Sequence, residues 1–205
     1  MAEAIGFQRL VGAEIEAALE HVAELRIRVF REWPYLYDGD LTYEQAYLRT
    51  YVRSAQAVCV LARDGRQVIG AATGIPLVDE TEEIIEPLRQ AGFPLERIFY
   101  FGESVLLPQF RGRGIGVRFF EEREAHAAAH GFSTVVFCAV ERPPGHPRRP
   151  PDYKPLDTFW RNRGYALEPK PRAWFPWRDL DDHEETLKPL RYWSRQLQAL
   201  SSDGY

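Results

Sequence analysis

The chain has 205 residues, 45% of them hydrophobic and 27% charged, with a formal net charge of -4. That length suits one domain with a real core, and the composition excludes disordered, collagen-like and low-complexity chains. The acidic balance removes the broad positive field that nucleic-acid binding uses. No apolar run approaches the roughly 18 residues of a membrane span, and the first residues lack a signal-peptide pattern, so a cytoplasmic protein without nucleic-acid or membrane partners is expected. The two cysteines, Cys59 and Cys138, each lie in an apolar, strand-like run and read as buried free thiols.

In chain order, IGFQRLV reads as a strand, and Ile15, Leu19, Val22, Leu25 and Val29 recur at helical spacing up to Trp33-Pro34. LTYEQAYLRTYVRS supports a second helix after a turn-rich PYLYDGDL. Asp64-Gly65 marks a hairpin between two apolar strands. The acidic stretch 79–97 is expected to be a helical excursion between strands, an inserted segment too short to fold alone. RIFYFGESVLL is the best candidate for a central strand, VRFFEEREAHAAAHG for a helix closed by Gly131, and STVVFCAV for the next buried strand of a β-α-β crossover. The six prolines of ERPPGHPRRPPDYKP exclude regular structure there, LDTFWRNRG reads as a short helix, and AWFPWRDL reads as the last strand. Leu187, Leu190, Trp193, Leu197 and Leu200 then suggest an amphipathic helical tail over 180–205, packed on the body or on a second copy in a homodimer. Residues 1–205 are thus expected to form a single α/β domain.

The chemistry concentrates in Arg111, Gly112, Arg113, Gly114, Ile115 and Gly116. A glycine-rich turn between a strand and a helix exposes consecutive N–H groups that a phosphate can satisfy, and Gly114 is expected to tolerate mutation worst. A P-loop needs a lysine, but none precedes Lys154; a dinucleotide fingerprint needs an acidic residue that the next strand lacks. The remaining pattern, Leu106-Leu107-Pro108-Gln109-Phe110-Arg111-Gly112-Arg113-Gly114-Ile115-Gly116, resembles the pyrophosphate motif of the GNAT superfamily of acyl-CoA N-acyltransferases, and the element order resembles that family's over nearly the whole chain. The resemblance implies a mixed central sheet with flanking helices and a V-shaped splay between two parallel strands, where acetyl-CoA lies as co-substrate. It implies that backbone groups of Val105, Leu106 and Leu107 meet the pantetheine arm, that the 111–116 turn holds the pyrophosphate, and that Phe159 lies against the cofactor.

Acetyl transfer to an amine requires removal of a proton. Glu103 is the sole charged side chain between Arg97 and Arg111, it stands among Phe99, Phe101 and Val105, and the resemblance makes it the general base. The family's usual acid is a tyrosine on the helix after the last parallel strand, but Trp160 stands there, which leaves Tyr153 and Tyr165 as candidates, the latter more suited to core packing. Tyr35, Tyr37, Asp38 and Asp40 either hold a cationic acceptor or make a structural turn. Arg142, His146, Arg148 and Arg149 either meet an acidic group or form a solvated loop, and His126 with His130 is better explained by an exposed helix face than by a metal. The expected activity is acetyl transfer from acetyl-CoA to a primary amine of a small molecule, by direct attack in a ternary complex. Rival readings are a protein or peptide N-acetyltransferase and a non-catalytic acyl-CoA sensor.

Overall fold

A computed structural model describes residues 4–198. Strand β1 (Gly6–Val11) leads through a 3-10 turn into α1 (Leu19–Phe30) and α2 (Leu41–Arg53), followed by β2 (Val58–Asp64) and β3 (Gln67–Pro76). Then come α3 (Glu82–Gln90), β4 (Ile98–Leu106), α4 (Ile115–Ala129), β5 (Thr134–Val140), α5 (Asp157–Asn162), β6 (Ala166–Trp177) and β7 (Thr186–Gln196). One seven-stranded sheet results, in the order β1-β2-β3-β4-β5-β7-β6, with β4 and β5 parallel and every other pair antiparallel.

Local chemistry accounts for most boundaries. Asp40 caps α2, its carboxylate accepting from the Tyr43 N–H at 2.9 Å. The expected hairpin turns between Asp64 and Gln67, with Gly65 in the left-handed region at φ 56°. The inserted stretch 79–97 holds α3, whose Ile84, Ile85 and Leu88 are buried. Tyr192 of β7 donates to the Ile84 carbonyl at 2.8 Å, so this short helix is held by the sheet rather than by its own length.

The tail differs from expectation. Residues 186–196 form β7, an inner strand between β5 and β6, and Leu200 lies outside the described residues. The three-and-four spacing of Leu187, Leu190 and Trp193 coexists with an alternation of Lys188, Leu190 and Tyr192, all buried on one face. The alternation prevails because β5 needs a hydrogen-bonding neighbour on its second edge, and β7 supplies one from Thr134↔Gln196 to Val140↔Leu190. Likewise the AWFPWRDL strand is the second half of a longer β6 that starts at Ala166.

The α1–α2 turn is fastened to the β6–β7 hairpin. Leu180 donates to the Leu36 carbonyl at 2.9 Å, Asp38 to the Arg178 carbonyl at 3.1 Å, and Tyr37 bridges Asp179. Arg142 is the clamp: buried, it donates to both oxygens of Asp179 and to the carbonyls of Pro34 and Tyr35. It is therefore unavailable to an acidic substrate group, contrary to one of the two expectations for this loop. Arg142→Met leaves Asp179 short of its main partner and two carbonyls unsatisfied, with an expected cost of about 3 kcal/mol in urea unfolding.

Candidate functional site

β4 and β5 pair only from Ile98↔Thr134 to Phe101↔Phe137, although β4 runs on to Leu106 and β5 to Val140. The divergence begins at an irregularity in β4, where Gly102 and Glu103 together oppose Thr73 of β3. Beyond it β4 keeps β3, with Val105 opposite Ala71, Leu106 opposite Gly70, and Leu107 donating to the Ile69 carbonyl. One edge of β4 is therefore left without a strand neighbour inside the sheet.

Arg123, which sequence reasoning missed, holds this irregularity from α4. Its guanidinium donates to the carbonyls of Thr73 (2.9 Å) and Glu103 (3.2 Å) and to the Ser104 hydroxyl (2.8 Å), and burial lowers it to about 10. The available signal was an arginine on the inward stripe of a helix, at the spacing Phe119, Arg123, Ala127.

At the end of β4 the 111–116 turn opens into α4. Gly112 and Gly114 adopt φ values of 77° and 80°, and Gly114 caps the helix without any side chain. A Cβ added at Gly112, Gly114 or Gly116 would meet nothing within 4 Å, so the glycines border open space rather than packed atoms. The first amides of α4 have no partner within the helix, and open space beside the glycines leaves them accessible. Arg111 pairs with Glu32, just beyond α1, at 2.9 Å and donates to the Leu106 carbonyl, while Arg113 folds back on Phe110 and the Gln109 carbonyl.

A cavity of about 540 Å³ adjoins the turn, lined by Arg111 together with Glu32, Trp33, Arg148, Pro150 and Tyr153, among others. Two predicted site residues, Arg111 and Tyr153, are thus brought to one opening. Tyr153 meets Trp33 edge-on at 5.9 Å, and burial followed by the Asp157 charge raises its phenol above the ordinary value. Phe159 packs edge-to-face on Phe120. Tyr165 is buried and donates to Glu124 at 2.9 Å, and burial raises its phenol far above the ordinary value.

Glu103 is buried against Arg26 of α1 and does not line that cavity. It forms an ion pair with Arg26, and Arg26 pairs in turn with Glu44 of α2. The guanidinium also lies 4.7 Å from the Tyr47 ring and 5.1 Å from that of Phe30. Burial opposes the charge on Arg26, but Glu103 and Glu44 outweigh it and raise its pKa. Arg26 and Glu44 were also missed, though Glu44, Leu48 and Tyr51 share one buried stripe of α2.

Other candidates are absorbed by structure. Asp38 is paired with both Arg31 (3.1 Å) and Arg178, whose hydrogen bonds lower its pKa, so the expectation that Asp38 holds an acceptor is replaced by a surface ion pair. Tyr35 packs on Phe30, and burial raises its phenol to about 12; Tyr37 stands at the bridge to Asp179. His126 is buried rather than exposed, bonded through Nε2 to the Gln56 carbonyl, and His130 bonds the His126 carbonyl, which explains the pair without a ligand. His146 stacks on Trp33, and Arg148 pairs with Asp181.

The model of the acetyltransferase (GNAT) family matches residues 19–150, well over half of the chain. The chain belongs to the GNAT family. A comparison with curated proteins finds no match. Among solved structures the fold is similar to that of the yncA protein of Salmonella typhimurium with its cofactor acetyl-CoA, at 12% identity and TM-score 0.58 over 98% of this chain and 99% of that one. It is similar to an N-acetyltransferase of Staphylococcus aureus Mu50 (12% identity, TM-score 0.58, 96% and 100% covered). The third is NAA60 of Arabidopsis thaliana in complex with a bisubstrate analogue (12% identity, TM-score 0.59, 95% and 100% covered). In this GNAT domain, then, the parallel β4–β5 pair, its divergence after Phe101 and the glycine turn into α4 belong to one architecture.

Among the described residues, no helix is long and apolar enough to cross a membrane, and no group of three or more metal-ligating side chains converges.

Proposed function

We propose that the protein transfers the acetyl group of acetyl-CoA to a primary amine of a small molecule, by direct attack within a ternary complex. The observation that carries this reading is the position of Glu103, a buried carboxylate on the strand segment where β4 leaves β5, one strand end away from the open amide turn. When bound, acetyl-CoA supplies a thioester at that divergence. The amides of residues 112–116 hold its pyrophosphate, and backbone groups of Val105, Leu106 and Leu107 meet the pantetheine arm and polarise the carbonyl.

An alkylamine with a pKa near 10.4 is free base only about once in a thousand molecules at pH 7, so the site must accept a proton. Glu103 takes one proton from the ammonium, directly or through a water, and the free amine then attacks the thioester carbon; as the carbon–sulfur bond breaks and the thiolate leaves, the nitrogen loses a second proton, which replaces the one given to the thiolate. In this reading Tyr153, which lines the cavity beside Arg111, gives the thiolate its proton. Direct attack is favoured over an acyl-enzyme because the one thiol on β5, Cys138, is pushed up to about 12 by burial and stays protonated. A small acceptor is favoured because the α1–α2 turn and the β6–β7 hairpin are closed on each other by Arg142 and two backbone hydrogen bonds, where an extended peptide needs an open groove.

The test is free-thiol release from acetyl-CoA in the presence of small primary amines or of peptides with free N-termini. Release with the small amines is expected. Release with peptides alone would overturn the acceptor assignment, and acetyl-CoA binding without release to any acceptor would leave a sensor.

A further inference from the structure

The buried face between α1, α2 and β4 gathers more carboxyl groups than guanidinium groups. Glu44 and Glu103 converge on the one guanidinium of Arg26, and each keeps a second oxygen, Oε1 in both cases, buried and without a hydrogen-bond partner. A third buried carboxyl, Glu80, accepts from Tyr51 at 2.9 Å and from the Thr81 N–H at 2.8 Å, with Tyr47 3.5 Å away. Burial raises its pKa, against the two hydrogen bonds it accepts. Glu44 and Glu103 thus share one guanidinium on this face, while the buried guanidinium of Arg123, on the α4 side, bonds the Glu103 carbonyl.

The other cations buried on this side of the sheet are already matched. Arg142 is consumed by Asp179 and two carbonyls, and Lys188 donates to the Trp177 and Thr186 carbonyls with Asp179 at 3.5 Å. An acceptor bearing a carboxylate or phosphate would meet no free cation here, and it would be repelled by the unpartnered oxygens in a medium that screens poorly. A single ammonium satisfies those oxygens and delivers its proton next to Glu103.

We infer that the acceptor is a cationic amine without any anionic group: an alkyl- or arylalkylamine rather than an amino acid. The inference rests on the acetyl-transfer reading for the placement of the acceptor at Glu103, while its charge argument concerns binding. Two matched pairs differ only by a carboxylate, butylamine with norvaline and phenethylamine with phenylalanine. Calorimetric titrations of the full chain with each, in the presence and absence of CoA, measure binding without turnover.

Each amine is expected to bind at least tenfold more tightly than its amino acid. Glu44→Gln, which frees part of Arg26 and leaves it one-to-one with Glu103, is expected to narrow the gap at least threefold while the melting temperature shows the fold intact. Equal or tighter binding of the amino acids overturns the inference, as does failure of both amines to bind. Thiol release from acetyl-CoA is followed separately. Selective amine binding without release defeats the transfer reading alone, and release to amines and amino acids alike defeats the charge inference alone.

Discussion

Gly116→Glu is expected to raise the dissociation constant for acetyl-CoA at least 100-fold without lowering the melting temperature. The position separates ligand binding from folding. Gly116 lies in the first turn of α4, a Cβ there meets nothing within 4 Å, and its backbone lies outside the left-handed region occupied by Gly112 and Gly114. The fold therefore has no steric reason to reject a side chain. A carboxylate in the first turn even complements the helix dipole by about 0.3–1 kcal/mol. The same carboxylate occupies the amide turn and repels a pyrophosphate. An amide bond to a charged oxygen contributes roughly 1.5–3 kcal/mol, so losing one or two of them reaches the roughly 2.7 kcal/mol of a 100-fold loss. Gly114→Glu is expected to lose binding as well, but its φ of 80° adds backbone strain of about 1–2 kcal/mol, so it reports on both effects. Calorimetry beside a thermal melt is the measurement. Wild-type affinity in Gly116→Glu would move the pyrophosphate away from this turn.

Glu103→Gln is expected to lower kcat by roughly 10²–10⁴-fold with the KM for acetyl-CoA unchanged. Glutamine preserves the side-chain volume. It also leaves Arg26 paired one-to-one with Glu44, so a folding defect is not expected. A purely structural role for Glu103 predicts a different pattern: altered stability and an unchanged rate. The pH profile adds a second readout. Without the internal base, the residual rate follows the fraction of free amine and climbs about tenfold per pH unit below the amine's own pKa. A residual profile parallel to that of the wild type would exclude Glu103 as the proton acceptor.

Local signals in the chain were sufficient for what depends on near neighbours. Asp40 before an amphipathic run marks the start of α2, Asp64-Gly65 marks a hairpin, and a strand running through Pro108 into Gly112, Gly114 and Gly116 marks the turn into α4. At 187–200 the local signal was ambiguous, because a leucine spacing compatible with a helix also fits a strand with alternate residues buried. The choice belonged to β5, whose open edge lies some fifty residues earlier in the chain. Arg142 illustrates the same limit. A lone arginine in a proline-rich loop looks available for a ligand, until Asp179 and the Pro34 and Tyr35 carbonyls arrive from opposite ends of the chain.

By itself the sequence determined the element order through most of the chain, the glycine turn into α4 and the identity of Glu103 as an acidic residue on the central strand. These are encoded by contiguous residues, through backbone freedom at glycine and the periodicity of apolar side chains. The tertiary structure alone decided what surrounds Glu103: Arg26 from α1, Glu44 from α2 and the Arg123 clamp from α4. Electrostatic environment is set by distances across the fold, and two carboxylates far apart in the chain share one guanidinium only once α1, α2 and β4 have packed together.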